Sequence, residues 1–346
     1  MNHLAQIMSS PWALDSESMA NVREIYSRHL RGEVADFPAN AAKLGRPMAN
    51  NNSSIMSTVD GVAVITIEGV LVQKGNMFSD VSGATSMQII GNCFNQAVSN
   101  QAVKGIVLYI SSGGGQVAGT SELADTIYGA RSSKKIVCFS DGNLCSAALW
   151  IGSAAHSVML SSETVNVGSV GICSGHRDYS GAEAMKGIKT TEVSSGKYKR
   201  ITSQYEPLTA EGKAEIQAQV DTLQGIFVAA VARNRGITTK KVKDSEARIY
   251  LGSQAISAGF ADGFSTLPAI IASMQQAPGQ RGTGTQATTM QIQPAITNAA
   301  FNTVLSLKGI QAPPPVPDQS SVAAAERKKA VESIAAGGSN EHAIAR

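Results

Sequence analysis

The chain has 346 residues, 43% of them hydrophobic, with 29 basic against 26 acidic side chains and a formal net charge of +3. Such a length allows roughly two domains, and the near balance of charge gives no basis for a nucleic-acid partner. Four cysteines, Cys93, Cys138, Cys145 and Cys173, have no C-x-x-C spacing and three sit in apolar surroundings; they read as free thiols of a reducing compartment.

Pro11-Trp12-Ala13-Leu14 precedes a stretch, Ser16 to Leu30, in which Met19, Val22, Ile25 and Tyr26 have the apolar spacing of a short helix. Residues 1–55 are expected to form a helical extension ending in the polar spacer Asn50-Asn51-Asn52-Ser53-Ser54. No basic stretch leads into an apolar leader core, and no run of about 18 apolar residues occurs. The expectation is a soluble, cytoplasmic protein with no membrane partner.

At Gly61 the pattern changes. Val62 to Leu71 is a nearly continuous β-branched run, as in strands covered on both faces. Thr85 to Val98 has helical spacing, Gly105 to Ile110 predicts the next strand, Thr120 to Ala130 a helix and Ile136 to Phe139 a buried strand. Ser157 to Leu160 and Val165 to Val170 follow as short strands. Alternating strands and helices imply βαβ crossovers and a mainly parallel sheet, in which sites gather beyond the carboxyl ends of the strands.

Two such junctions carry chemistry. In Ser111-Ser112-Gly113-Gly114-Gly115-Gln116-Val117 the strand runs into successive glycines, which permit positive φ and present bare N–H donors to an anion. After the buried strand Ile136 to Phe139, a polar Gly-containing turn leads to a helix that begins near Ser146, where negative charge is stabilised. Serine is also an ordinary N-cap; the neighbouring donor turn makes Ser146 a nucleophile candidate and the pair half of an acyl-transfer site.

Downstream, Thr209 predicts the cap of a long helix whose stripe is Ile216, Val220, Leu223, Phe227 and Val231, ending near Gly236. Beyond Gln275 the composition turns to Gln, Gly, Thr, Ala and Pro, which predicts a linker and disordered tail with one short charged helix from Ser321 to Ala336.

These motifs resemble a known family. Ile110 to Val117 is similar to the "I-N-S-P-G-G-x-V" element of the Clp protease and signal peptide peptidase A superfamily, and Leu144 to Ile151 to the "A-A-S-G-G-Y-Y-I" nucleophile element of signal peptide peptidase A. Val167 to Ile172 resembles "x-G-S-I-G-V", and Arg248 to Gly263 the family's closing segment. Pro11 to Leu14 is similar to the "P-W-A-(I/L)" opening of the phage head maturation branch. The resemblance implies an α/β, Clp protease/crotonase-like fold over residues 56–270, with 271–346 as tail and scaffold-like remnant.

It also implies a serine endopeptidase with a Ser-Lys dyad and no cofactor or metal. Ser195-Gly196-Lys197-Tyr198-Lys199-Arg200-Ile201 matches the family's lysine segment and puts the amine at Lys199, with Lys197 as the alternative. A lysine serves as base only when its pKa falls well below ~10.4. By the same resemblance Ser169 orients the lysine, and the backbone N–H groups of Gly114 and Ala147 form the oxyanion hole. The position matching the Clp histidine is Gly168, and His176 is the rival base. The implied substrates are scaffold, portal or the protease itself in phage proheads, cut by a homo-oligomer in which the lysine comes either from the serine's own subunit or from a neighbour. The alternatives are a cytoplasmic peptidase of signal-peptide remnants, a non-catalytic scaffold or structural head protein, and a crotonase-type acyl-CoA enzyme.

Overall fold

The structure is a computed structural model that describes residues 11–30, 55–75 and 84–275. The expected spacer, the tail beyond Gln275 and its charged helix lie outside the described residues; residues 271–275, which the expected boundary assigned to the tail, instead complete a helix, Leu267–Gln275, that packs on the sheet.

Long apolar runs become the central strands. β1 is Trp12–Leu14, β2 Met56–Val59, β3 Val62–Val72, β4 Thr85–Ser86 and β5 Gly105–Gln116. They are followed by β6 (Lys135–Ser140), β7 (Asn143–Cys145), β8 (Ser157–Leu160), β9 (Asn166–Gly168), β10 (Ile249–Leu251) and β11 (Gly263–Phe264). The order β10-β9-β7-β5-β6-β8-β11, with β3 joined to β5, is parallel except where β1, β2 and β10 pair with their neighbours. This is the α/β, mostly parallel architecture expected of a Clp/crotonase-like fold. Apolar helices on both faces explain why its strands read as unbroken hydrophobic runs.

The helices are α1 (Ser16–Leu30), α2 (Met87–Ser99), α3 (Thr120–Gly129), α4 (Ala147–Ser153), α5 (Ser180–Met185), α6 (Ala210–Arg235), α7 (Thr239–Lys243), α8 (Gly252–Ala258) and α9 (Leu267–Gln275). One face of the sheet packs Ile65, Ile106 and Leu108 against α2, α3, α4 and the end of α6. The other packs Val62, Val64, Val107, Val137 and Phe139 against Ile270, Ile271 and Met274 of α9. As predicted, Thr209 caps α6, its Oγ1 accepting from Gly212 N at 3.0 Å, and Gly236 closes it at φ 63°. Apart from Gly212 in its first turn, the buried residues of α6 lie in its second half: Phe227 and Val231 are core, while Ile216, Val220 and Leu223 are partly covered.

The glycine-rich run differs from its predicted role. Rather than turning at Ile110, β5 stays extended to Gln116. β3 keeps one of its edges, pairing as far as Leu71 with Gly115. The other edge passes from β6, which pairs up to Tyr109, to β7 at Ser112 and then to β1 at Gly114–Gln116. The glycines admit these close neighbours: a Cβ on Gly113 would strike the Asp15 carboxylate, and one on Gly115 the Leu71 backbone.

Candidate active site

β7 delivers Ser146 onto the first turn of α4, and the serine takes φ 55°, ψ −122°, a backbone conformation L residues rarely adopt. Such strain costs ~1 to 3 kcal/mol and persists only where the surroundings impose it. Here Ser146 N donates to Gly168 O at 2.8 Å and Trp150 N to Ser146 O at 2.9 Å. Trp150 stacks on Phe227 of α6 with centroids 4.4 Å apart, and Asn234 Nδ2 donates to Ser153 Oγ at 3.0 Å, so α6 anchors the short helix. Ser146 Oγ makes a long contact, 3.5 Å, to Gly171 O.

Gly114 lies directly across from this serine. At φ 110° its missing Cβ would stand 2.9 Å from Ser146 Cβ and 3.1 Å from Ala147 N, so only glycine lets the two junctions meet. Among the described residues no acceptor meets the Ala147 N–H, which leaves that donor available. Gly114 N donates to Ser112 Oγ at 3.1 Å, and Ser112 Oγ donates in turn to Gly69 O at 2.5 Å. The donor expected at Gly114 is thus turned onto a neighbouring hydroxyl in this conformation.

Ser169 follows Gly168, the residue that accepts from Ser146, and it too has φ 55°. Its N–H donates to Arg248 O at 3.0 Å, and its hydroxyl is half-buried with no partner among the described residues. Sequence reasoning missed Gln224 of α6, whose Nε2 donates to Val170 O at 2.9 Å and braces the loop that faces Ser146. Its signal was a polar residue beside the apolar stripe of a long helix.

Ser146, Gly114, Ala147 and Ser169 come together; Lys199 does not join them. It lies in a run of exposed turns, where its backbone N donates to Gly196 O at 3.1 Å, and among the described residues its amine meets no partner. Lys197 pairs with Glu211 at 2.5 Å, and that carboxylate holds its ammonium above the usual lysine value, the reverse of what a base needs. His176 meets the Ser203 carbonyl oxygen at 2.7 Å through Nε2. Cys145, next to the serine, is no rival nucleophile: burial pushes its thiol up to about 12, so it stays protonated. Cys93 and Cys138 are buried free thiols and Cys173 an exposed one. Among the described residues no cluster of metal-ligating side chains occurs, and no helix is long and apolar enough to cross a membrane.

Residues 129–281 match the family model of peptidase family S49, a span that includes Ser146, Ser169 and Lys199. The chain is similar to the head-tail preconnector protein GP5 of Enterobacteria phage P21, 33% identical over 229 residues that cover 66% of this chain and 46% of that protein. It is similar also to the capsid assembly protease C of Escherichia phage lambda, 32% identical over 204 residues, 59% of this chain and 46% of that one. The chain therefore spans about half the length of the curated relatives it matches.

Proposed function

We propose that this chain, which carries a peptidase family S49 domain, is a serine endopeptidase of phage head maturation with Ser146 as nucleophile and Lys199 as base. The observation that carries the reading is the strained Ser146 at φ 55°, buried against Gly114 with the unpartnered Ala147 N–H beside it. In the mechanism, the neutral Lys199 amine takes the Ser146 proton as Oγ attacks a peptide carbonyl carbon. The oxyanion rests on the Ala147 N–H and on Gly114 N–H once that group leaves Ser112. The lysine ammonium passes its proton to the departing amine, and a water deprotonated by the same lysine cleaves the acyl ester. Ser169 holds the neutral amine, since a hydroxyl both donates and accepts without restoring its charge.

Lys199 reaches this position from a neighbouring subunit. Its segment is a surface on which Met185 is 86%, Val193 95% and Tyr198 61% exposed, a patch that favours a protein partner. A second copy of this chain fits, which makes the enzyme a homo-oligomer. Names given to the relatives, a capsid assembly protease and a head-tail preconnector, support head proteins as substrates (scaffold, portal, or the protease itself) within the host cytoplasm or the prohead.

The test follows intact mass during incubation of wild type, Ser146→Ala and Lys199→Ala. Self-trimming by wild type alone is the expected result. Trimming by Ser146→Ala overturns the nucleophile assignment.

A further inference from the structure

The peptide slot beside Ser146 already holds a strand of the same chain. β1 pairs antiparallel with the end of β5, Trp12 opposite Gln116, Ala13 opposite Gly115 and Leu14 opposite Gly114. Its second edge is taken by Cys173: Trp12 N donates to Cys173 O and Cys173 N to Trp12 O, each at 2.9 Å. Pairing continues at both ends, with Val117 N donating to Pro11 O at 3.3 Å and Asp15 N to Gly113 O at 2.9 Å. We infer that residues 11–15 are a resident pseudosubstrate, and that the chain is latent until an extended protein strand displaces them. This rests on the reading of Ser146 as the nucleophile.

Polarity is the first argument. β1 runs toward the serine, so that Leu14 reaches Gly114, which in turn abuts Ser146. That is the direction required of residues preceding a scissile bond if their carbonyl is to meet Ser146 Oγ. Access is the second. Ser146 is 0% exposed, and the Ala13 carbonyl oxygen crowds the same point beside Gly114 as Ser146 Cβ does. While β1 stays in place, no substrate strand can take the edge of β5 beside the serine.

The way the strand is held supplies the third argument. Trp12 and Leu14 pack with Met19 and Val22 of α1 and with Val70 in a cluster separate from the main core. Asp15 ties strand to helix, accepting from Ser18 N at 2.9 Å and from Ser18 Oγ at 2.8 Å. The strand and α1 therefore form one unit, which can leave without opening the sheet. Ala13 alone reaches the main core, at 0% exposure. Strand addition draws its affinity from main-chain hydrogen bonds whatever the sequence, with specificity from alternate side chains. The competing strand accordingly needs a small residue opposite Gly115.

Trp12→Cys in the full chain tests this, because two residues exchanging both antiparallel hydrogen bonds stand about 5.5 Å apart, within disulfide range. An oxidant then locks the strand to Cys173, and a reductant frees it with its Trp anchor gone. Ala13→Glu is a second opening variant, since a carboxylate is too costly at that buried position. The readouts are the rate at which a fluorophosphonate labels Ser146, by intact mass and peptide mapping, and hydrogen exchange of the Gly114 to Val117 amides. Reduced Trp12→Cys and Ala13→Glu are expected to label at least ~10-fold faster than wild type, as the accessible fraction rises, and oxidised Trp12→Cys no faster than wild type. Equal labelling of the oxidised and reduced forms, with the bridge verified by mass, overturns the inference. If no form is labelled, the nucleophile reading fails and exchange decides occupancy: faster exchange in the opened forms supports a displaceable strand, and wild-type protection in them overturns it.

Discussion

The two halves of the proposed site are built in opposite ways. The serine half is interior: Ser146 and Ala147 are 0% exposed, Gly114 is pressed between β1 and α4, and Ser169 hangs from the adjoining strand. The lysine half, from α5 to the start of α6, is surface, with Lys199 exposed and Met185 and Val193 almost fully so. A chain that buries a strained nucleophile gains from holding it rigid. One that leaves apolar side chains bare around a lysine gains from covering them with a partner. The difference is what the proposed reading requires, in which a single chain makes only the acyl-accepting half of the chemistry and a partner brings the lysine.

Removing one group from each half breaks the comparison most directly. Ser146→Ala and Lys199→Ala should each lower peptide hydrolysis at least ~10³-fold, leaving what the backbone donors alone supply. Mixing the two dead proteins under subunit exchange should restore a measurable fraction of activity, because a mixed assembly holds an intact serine facing an intact lysine. A mixture that stays dead while both variants assemble places the lysine with the serine of its own chain.

Glycines sharpen the contrast at a smaller scale. Gly114→Ala adds a Cβ 2.9 Å from Ser146 Cβ at φ 110°. It should cost ~10²-fold in kcat, as for the loss of one oxyanion donor, together with a fall in Tm. Gly196, beside the lysines, also has positive φ, 90°, yet a Cβ there meets nothing within 4 Å. Gly196→Ala should cost only the ~1 to 2 kcal/mol of left-handed strain, read as a modest Tm shift if that turn keeps its conformation.

The same contrast governed what the sequence made legible. β3, β6 and β8 announce themselves through apolar runs, and α6 through Thr209 and Gly236, because these signals are local. The helix start at Ser146 was legible as well, but the turn before it is only Asp141-Gly142: Asn143–Cys145 form β7, whose pairing with β5 and β9 no neighbouring residue announces. The extended course of Gly113 to Gly115 was not legible, because glycines that turn a chain and glycines that let other segments approach have the same composition. Nor was the pairing of Trp12 with both Gln116 and Cys173, which joins segments far apart in the sequence. Burial mainly of the second half of α6 escaped for a related reason: its stripe is continuous, and which part of it meets Trp150 is a tertiary fact.

Ion pairs carry the smallest effects and still separate the halves. Arg235, at the end of α6 and 5% exposed, binds Asp262 through Nη1 to Oδ2 at 2.9 Å and Nη2 to Oδ1 at 2.6 Å. Burial pushes the Asp262 carboxyl up, but the Arg235 hydrogen bonds and charge with the Val158 N–H outweigh it and hold the group below the usual aspartate range. A depressed carboxyl contributes stability above its unfolded pKa of about 3.9 that is lost as pH falls through the folded value. Asp262→Asn should therefore lower Tm at pH 7 by the equivalent of about 1 kcal/mol, modest because the carboxylate is partly exposed and screened. In thermal melts the gap from wild type should close as pH drops below about 4. Lys197 and Glu211, 63% and 52% exposed, form the corresponding pair of the lysine half. There the lysine pKa is raised, so any contribution is present below its unfolded value and fades only as pH rises through the folded one. Glu211→Gln should leave Tm unchanged at neutral pH, because solvent and salt already screen a pair that the interior never encloses.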